Sequence, residues 1–334
     1  MSELHGLALR EVGRRVGSLD QVARIEDVVD ANGPARGNRR LRLVNGGGLE
    51  LDVLPDRALD LGTLTFNGVP FAWRSAVGDV DPAMTDARGR GWMRTFAGGV
   101  LSTCGLDTFG APSTDQGVDL PMHGRIGGLR STLTRAELSG DELVVEGRVR
   151  QTAVLEENLV LRRRITTALG SRSFTVEDVV TNEGADEQDH MVLYHVNLGW
   201  PLLDTDTRIE IGQASAEPRD ADAALGFDTR GVFGDPQAGF REQVFIHTTD
   251  ESEQRVARVV NDARGLALTL RYSDTLPAIF EWKMLAERCY ALGLEPANTS
   301  EMTGRAAARK NGLLPSLAPG ESRTYRLEIE VDAP

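Results

Sequence analysis

Short runs in which apolar and polar residues alternate, cut by glycine-rich turns, are the feature that most limits what this 334-residue chain can become. Leu41 and Leu43 alternate with Arg40 and Arg42; Leu49, Leu51 and Val53 alternate with Glu50 and Asp52. Between the two runs stand Asn45, Gly46, Gly47 and Gly48, residue types that reverse a chain because they tolerate positive φ. The pattern predicts a hairpin over 40–54 with one buried and one wet face. The same period recurs from Leu143 to Val149, from Leu266 to Tyr272, and at Tyr325, Leu327, Ile329 and Val331.

Helical spacing offers little competition. Clusters such as Asn182-Glu183-Gly184 and Ala318-Pro319-Gly320 end strands rather than cap helices. Only the stretch from Leu7 to Val29 reads both ways: Val12, Val16 and Leu19 keep helical spacing, while Val22, Arg24, Glu26 and Val28 suit a strand. With 36 glycines and repeated turn signals, the chain reads as all-β, a large antiparallel sandwich joined by long functional loops. No internal repeat or linker divides it. The expectation is one domain over 1–334, with 1–35 as an amino-terminal extension or edge strands, and the Asp-rich stretch from Leu203 to Asp222 as a surface excursion.

Composition narrows the function classes. A hydrophobic content of 40% supports a packed core rather than disorder. A formal charge of −13 opposes attraction to nucleic acid or to an anionic membrane, and points to a small-molecule partner. Cys104 and Cys289 match neither a disulfide framework nor a four-ligand zinc pattern. The first residues lack the apolar core of a secretory signal, and no run approaches the ~20 apolar residues that cross a bilayer, so a cytoplasmic location is expected. Gly98, Gly99, Gly105 and Gly110 lack the strand–turn–helix context of a phosphate cradle.

Two segments carry the candidate chemistry. From Tyr194 to Leu203 an apolar run delivers His195, which strand alternation would place on the face opposite Tyr194, with Trp200 nearby as a platform for a sugar ring. From Tyr290 to Asn298 another delivers Glu295, whose apolar approach predicts burial and a raised proton affinity. A buried salt bridge from Glu295 to an arginine fits the same local pattern. His123 sits in a glycine-flanked turn, and Arg57, Arg94 and Arg125 are candidate forks for a ligand's hydroxyl, carboxylate or phosphate. Imidazole plus carboxylate is a pairing suited to general acid–base chemistry.

Five segments in order carry a family resemblance: Pro55–Gly62, Phe96–Leu106, Met122–Gly127, Tyr194–Leu203, and Glu281–Met284 followed by Tyr290–Asn298. Together, over roughly residues 40 to 330, they resemble the aldose 1-epimerase (galactose mutarotase-like) superfamily. The nearest likeness is to a bacterial branch of aldose 1-epimerase family proteins of unknown specificity. The resemblance implies a β-supersandwich of two large, mainly antiparallel sheets, with the sugar site on a concave face. It implies His195, followed by Asn197 and Leu198, as general acid, Glu295 with Asn298 as general base ionised at neutral pH, and His123 as a ring contact. Such a reaction needs no cofactor and no metal. The family's arginine segment has no counterpart, so Arg57, Arg94 and Arg125 stay open for that role. The substrate-binding aspartate lacks a clear match too, although Asp204 and Asp206 lie between the two motifs. A non-catalytic sugar-binding protein and a sugar isomerase or lyase using His123, His195 and Glu295 as metal ligands remain alternatives.

Overall fold

A computed structural model describes residues 3–212, 215–249 and 255–333. Among the described residues the chain forms an antiparallel eight-stranded sheet in the order Thr132–Ser139, Glu142–Thr152, Asn158–Ala168, Ser173–Asn182, Ser322–Asp332, Leu266–Tyr272, Val256–Asn261, Thr207–Ile211. An antiparallel six-stranded sheet runs Ser215–Pro218, Gln243–Thr248, Ala278–Ala286, Cys289–Ala297, Leu193–Leu198, Ser102–Cys104. A five-stranded sheet holds the 40–54 hairpin, as Arg39–Val44 and Leu49–Leu54. The bridges Leu61↔Leu101 and Ala72↔Leu198 bring this third sheet and the segment that follows it against the six-stranded one. The fold is the all-β, antiparallel sandwich that the turn-punctuated alternation predicts.

The ambiguous amino-terminal stretch is both things in turn: a helix at Leu9–Gly13, a 3₁₀ turn at Leu19–Gln21 and a strand at Arg24–Val29. The Asp-rich excursion needs correction. Its first part supplies Thr207–Ile211 to the edge of the eight-stranded sheet and Ser215–Pro218 to the edge of the six-stranded one. Edge strands need apolar residues on one face only, so polar residues can dominate such a segment without removing it from a sheet.

One hydrophobic cluster joins the sheets, with Val176, Val180 and Leu327 of the eight-stranded sheet meeting Tyr194, Val196, Leu198, Leu292 and Leu294 of the six-stranded one. Full burial of such side chains is worth about 1.5–3 kcal/mol each. Leu193 and Ala297 belong instead to a separate cluster with Phe280 and Val244. The strand Leu193–Leu198 is buried along its whole length, with alternate side chains serving opposite faces. His195 and Asn197 thus share the face of Leu193, away from the sandwich interior that receives Tyr194.

Candidate active site

Register brings the two predicted groups together. Leu193 pairs with Ala297 and Val196 with Leu294, which sets His195 across from Glu295 on the same face of adjacent strands. Their side chains meet: His195 Nε2 lies 3.1 Å from Glu295 Oε1, and the residues are only 4% and 1% exposed. The salt bridge from Glu295 to an arginine is not what forms; the carboxylate's partner is the imidazole. The remaining polar atoms of the pair, His195 Nδ1 and Glu295 Oε2, have no hydrogen-bond partner in the protein. Leaving a buried polar atom unpaired costs about 1–3 kcal/mol, so unpaired atoms on both members of one pair mark a place arranged for something other than stability.

Burial also sets the charge of the pair. Glu295 is pushed up to about 8, by burial first and then by the charge of Glu242, while Arg219 pulls it partly back. His195 is held well below the ordinary imidazole range, by burial first and then by neighbouring His123, while the nearby Asn197 side chain pulls it partly back. At neutral pH the pair therefore carries one transferable proton, resting as a carboxyl beside a neutral imidazole. Burial thus works against the expected ionisation of Glu295. A carboxylate this deeply enclosed, with no cation in direct contact, keeps its proton.

Rings enclose the pair. His195 lies 5.1 Å from Phe96, 5.6 Å from Trp282 and 6.2 Å from Trp92, centre to centre. Trp73 stands 5.7 Å from Phe96 and 5.8 Å from Trp282, and Trp92 stacks on Phe96 at 4.1 Å. Three of the protein's four tryptophans thus gather about one histidine. Sequence reasoning passed over Trp73 and Trp282, although Trp282 shares its parity on its strand with Phe280, which pairs across to Glu295. It also passed over Arg219 and Glu242, which pair at 3.2 Å, with Glu242 accepting from the Trp282 indole at 3.0 Å. No local pattern distinguishes those two from surface charges.

His123 joins the cluster. Its ring lies 4.4 Å from Trp92 and 6.0 Å from His195, and burial lowers its pKa to about 4. Its backbone is left-handed, at φ 57°, and is held by hydrogen bonds from its N–H to Gly110 O and from Gly105 N–H to its own carbonyl. The following Gly124 is required: a Cβ there would sit 2.2 Å from Gly105 O.

The other candidates separate. Arg57 is buried beside Asp60, Asp79 and Arg74, with Nη1 unpaired, and is presented by two successive left-handed residues, Ala58 and Leu59. Its neighbour Asp60 binds Arg163 on the interior side of the sheet. Arg125 is bound to Asp107 at 3.1 Å, and Arg94 is exposed. Asn197 donates to Gly99 O and to His195 O, and keeps Oδ1 unpaired. Asn298 is committed to backbone, accepting from Val192 N–H at 2.9 Å and donating to His190 O at 2.9 Å. Trp200 is 62% exposed, and its ring faces Arg264 at 5.4 Å, outside the ring cluster. Asp204 pairs with the same Arg264. Among the described residues, His123, His195 and Glu295 do not form a group of three that could hold a metal ion. No helix among them is long and apolar enough to cross a membrane.

Similar folds have been solved. A protein of Klebsiella pneumoniae, provisionally named an aldose 1-epimerase, is 27% identical and superposes with a TM-score of 0.86 over 94% of this chain and 86% of its own. A galactose mutarotase-like protein of Clostridium acetobutylicum shares 13% identity, with a TM-score of 0.69 over 94% of this chain and all of its own. Galactose 1-epimerase of Lactobacillus acidophilus shares 11%, with a TM-score of 0.61 over 93% of this chain and all of its own. No functionally curated protein matches by sequence. Residues 35–331, most of the chain, match a single family model, and this protein belongs to that family, described as domain of unknown function DUF4432.

Proposed function

We propose that this protein is an aldose 1-epimerase-like mutarotase, interconverting the anomers of a free sugar through ring opening and reclosure. The observation that carries the reading is the buried His195–Glu295 pair, 3.1 Å apart inside a wall of aromatic rings. The likeness of the fold to mutarotase-like proteins supports it.

The reaction needs one proton taken and one given in each direction. Moving the carboxyl proton from Glu295 to the imidazole of His195, 3.1 Å away, yields the carboxylate–imidazolium form of the pair. Glu295 then takes the anomeric hydroxyl proton as His195 gives one to the ring oxygen; the bond from the anomeric carbon to the ring oxygen breaks, and the aldehyde forms. This leaves a carboxyl and a neutral imidazole, the forms that burial favours at rest. After rotation about the bond next to the aldehyde, the carboxyl returns a proton to the carbonyl oxygen, the imidazole takes the chain hydroxyl proton, and the ring closes on the opposite face. Trp92, Phe96 and Trp282 supply surfaces for the apolar face of a sugar ring, and His123 supplies a polar contact at its edge.

The test is anomer exchange by NMR saturation transfer on a panel of neutral, deoxy, acidic and phosphorylated free sugars, comparing wild type with Glu295→Gln. Exchange on one class that is lost in the variant supports the reading. Binding without exchange in wild type, unaffected by the substitution, would instead identify a sugar-binding protein.

A further inference from the structure

The strand that carries Glu295 has a gap in its side-chain row. Gly293 lies two residues before Glu295 on the same face, paired with Asn197 on one side and Trp282 on the other. Its φ is not among the positive ones, so its backbone would accept any L residue. What forbids a side chain there is the surroundings: a Cβ at Gly293 would stand 2.6 Å from Glu295 Oε1, 3.1 Å from His195 Cε1 and 3.1 Å from Trp282 Cβ.

Of these neighbours only the Glu295 carboxylate, the free end of its side chain, could swing aside. Trp282 Cβ is fixed by its own strand. Glu295 and His195 are buried and oriented by each other, and the ring of His195 is walled by Phe96, Trp92 and Trp282. A methyl group would therefore drive Glu295 Oε1 away from His195 Nε2. We infer that Gly293 is a positioning residue, whose missing side chain makes the space in which the imidazole and the carboxylate meet. Its role in turnover rests on the acid–base reading above; its steric role does not.

The experiment separates the two with Gly293→Ala in two backgrounds. In the wild-type background the substitution should lower anomer exchange by about 10²-fold or more, the loss that a misplacement of the order of 1 Å produces. It should also lower the Tm. In a Glu295→Ala background, where the colliding oxygen is gone, most of that loss of Tm should disappear, and folding should be recovered if the single variant fails to fold. Gly62→Ala serves as a control, because its Cβ would make only ordinary contacts, 3.4 Å from Asp52 Cβ; its exchange rate should stay within about twofold. A Tm loss from Gly293→Ala that is equal in both backgrounds, or exchange within about twofold of wild type, overturns the inference. If wild type exchanges no sugar, the proposed function fails, while the stability comparison still decides whether Gly293 holds the space.

Discussion

The two faces of one strand hold two buried polar groups of opposite kind. Behind the sheet, Arg163 is fully buried, yet its Nε and Nη2 bind Asp178 at 2.8 and 2.7 Å, Nη2 also binds Thr103 Oγ1 at 2.8 Å, and Nη1 binds Asp60 at 3.1 Å. The Tyr194 hydroxyl donates to the same Asp178 at 2.7 Å. Burial alone would pull the guanidinium's proton affinity down, but the charge and hydrogen bonds of Asp178 hold it above the ordinary value. In front, His195 and Glu295 are buried as deeply and make one close polar contact, Nε2 to Oε1 at 3.1 Å, with an unpaired atom left on each. Burial is the same on both faces; satisfaction differs. The saturated side locks the sheets together, and the other side retains unused hydrogen-bonding capacity.

Substitutions on either side break the comparison in different ways. Glu295→Gln should lower anomer exchange by about 10²–10⁴-fold, measured by saturation transfer. The same variant should be more stable than wild type at high pH. A carboxyl whose folded pKa is raised contributes stability that is complete below its ordinary value of 4.5 and lost as pH rises through about 8. The Tm advantage of the variant should therefore grow from pH 5 to pH 9; an advantage that shrinks over that range would contradict a buried, proton-holding Glu295.

Arg163→Met should do the reverse. Removing one partner from a buried ionic network typically costs about 3–5 kcal/mol, read by urea unfolding, and the surviving folded fraction should keep the wild-type pH profile of exchange. A profile that moves would join the two faces into one unit.

The profile itself sharpens the picture. Exchange should fall above about pH 8, where Glu295 loses the only transferable proton, and on the acid side only below the ordinary imidazole range, because burial and His123 hold His195 unprotonated. An acid limb at or above the ordinary value of 6.5 would show a solvated imidazole. A smaller effect is expected from Trp92→Ala, which removes stacking worth about 0.5–1.5 kcal/mol, so KM should rise roughly 2–10-fold with kcat changed less. Trp200→Ala marks the bottom of the scale. Its ring lies outside the cluster, and exchange should match wild type within about twofold.

Much of this was legible in the chain itself. Period-two runs and glycine turns prescribe antiparallel strands because side chains alternate faces, and Leu266–Tyr272 forms as one strand with the bounds the alternation sets. An apolar approach to a lone glutamate implies burial, and alternation alone places His195 opposite Tyr194. Trp200 misled because nearness in sequence to a histidine says nothing about direction once the strand has ended at Leu198. Asn298 sits within the motif, but its amide is used to clamp backbone.

Local pattern therefore determined the strands and the fold class, since each follows from how one segment meets water, and offered His195 and Glu295 only as candidates. Tertiary structure alone decided that the two residues are partners. Strands a hundred residues apart had to pair in one register for His195 to face Glu295, and loops from elsewhere had to enclose them for the proton to stay on the carboxyl. The gap at Gly293 belongs to the same level: its backbone permits any residue, and only the atoms gathered around it do not.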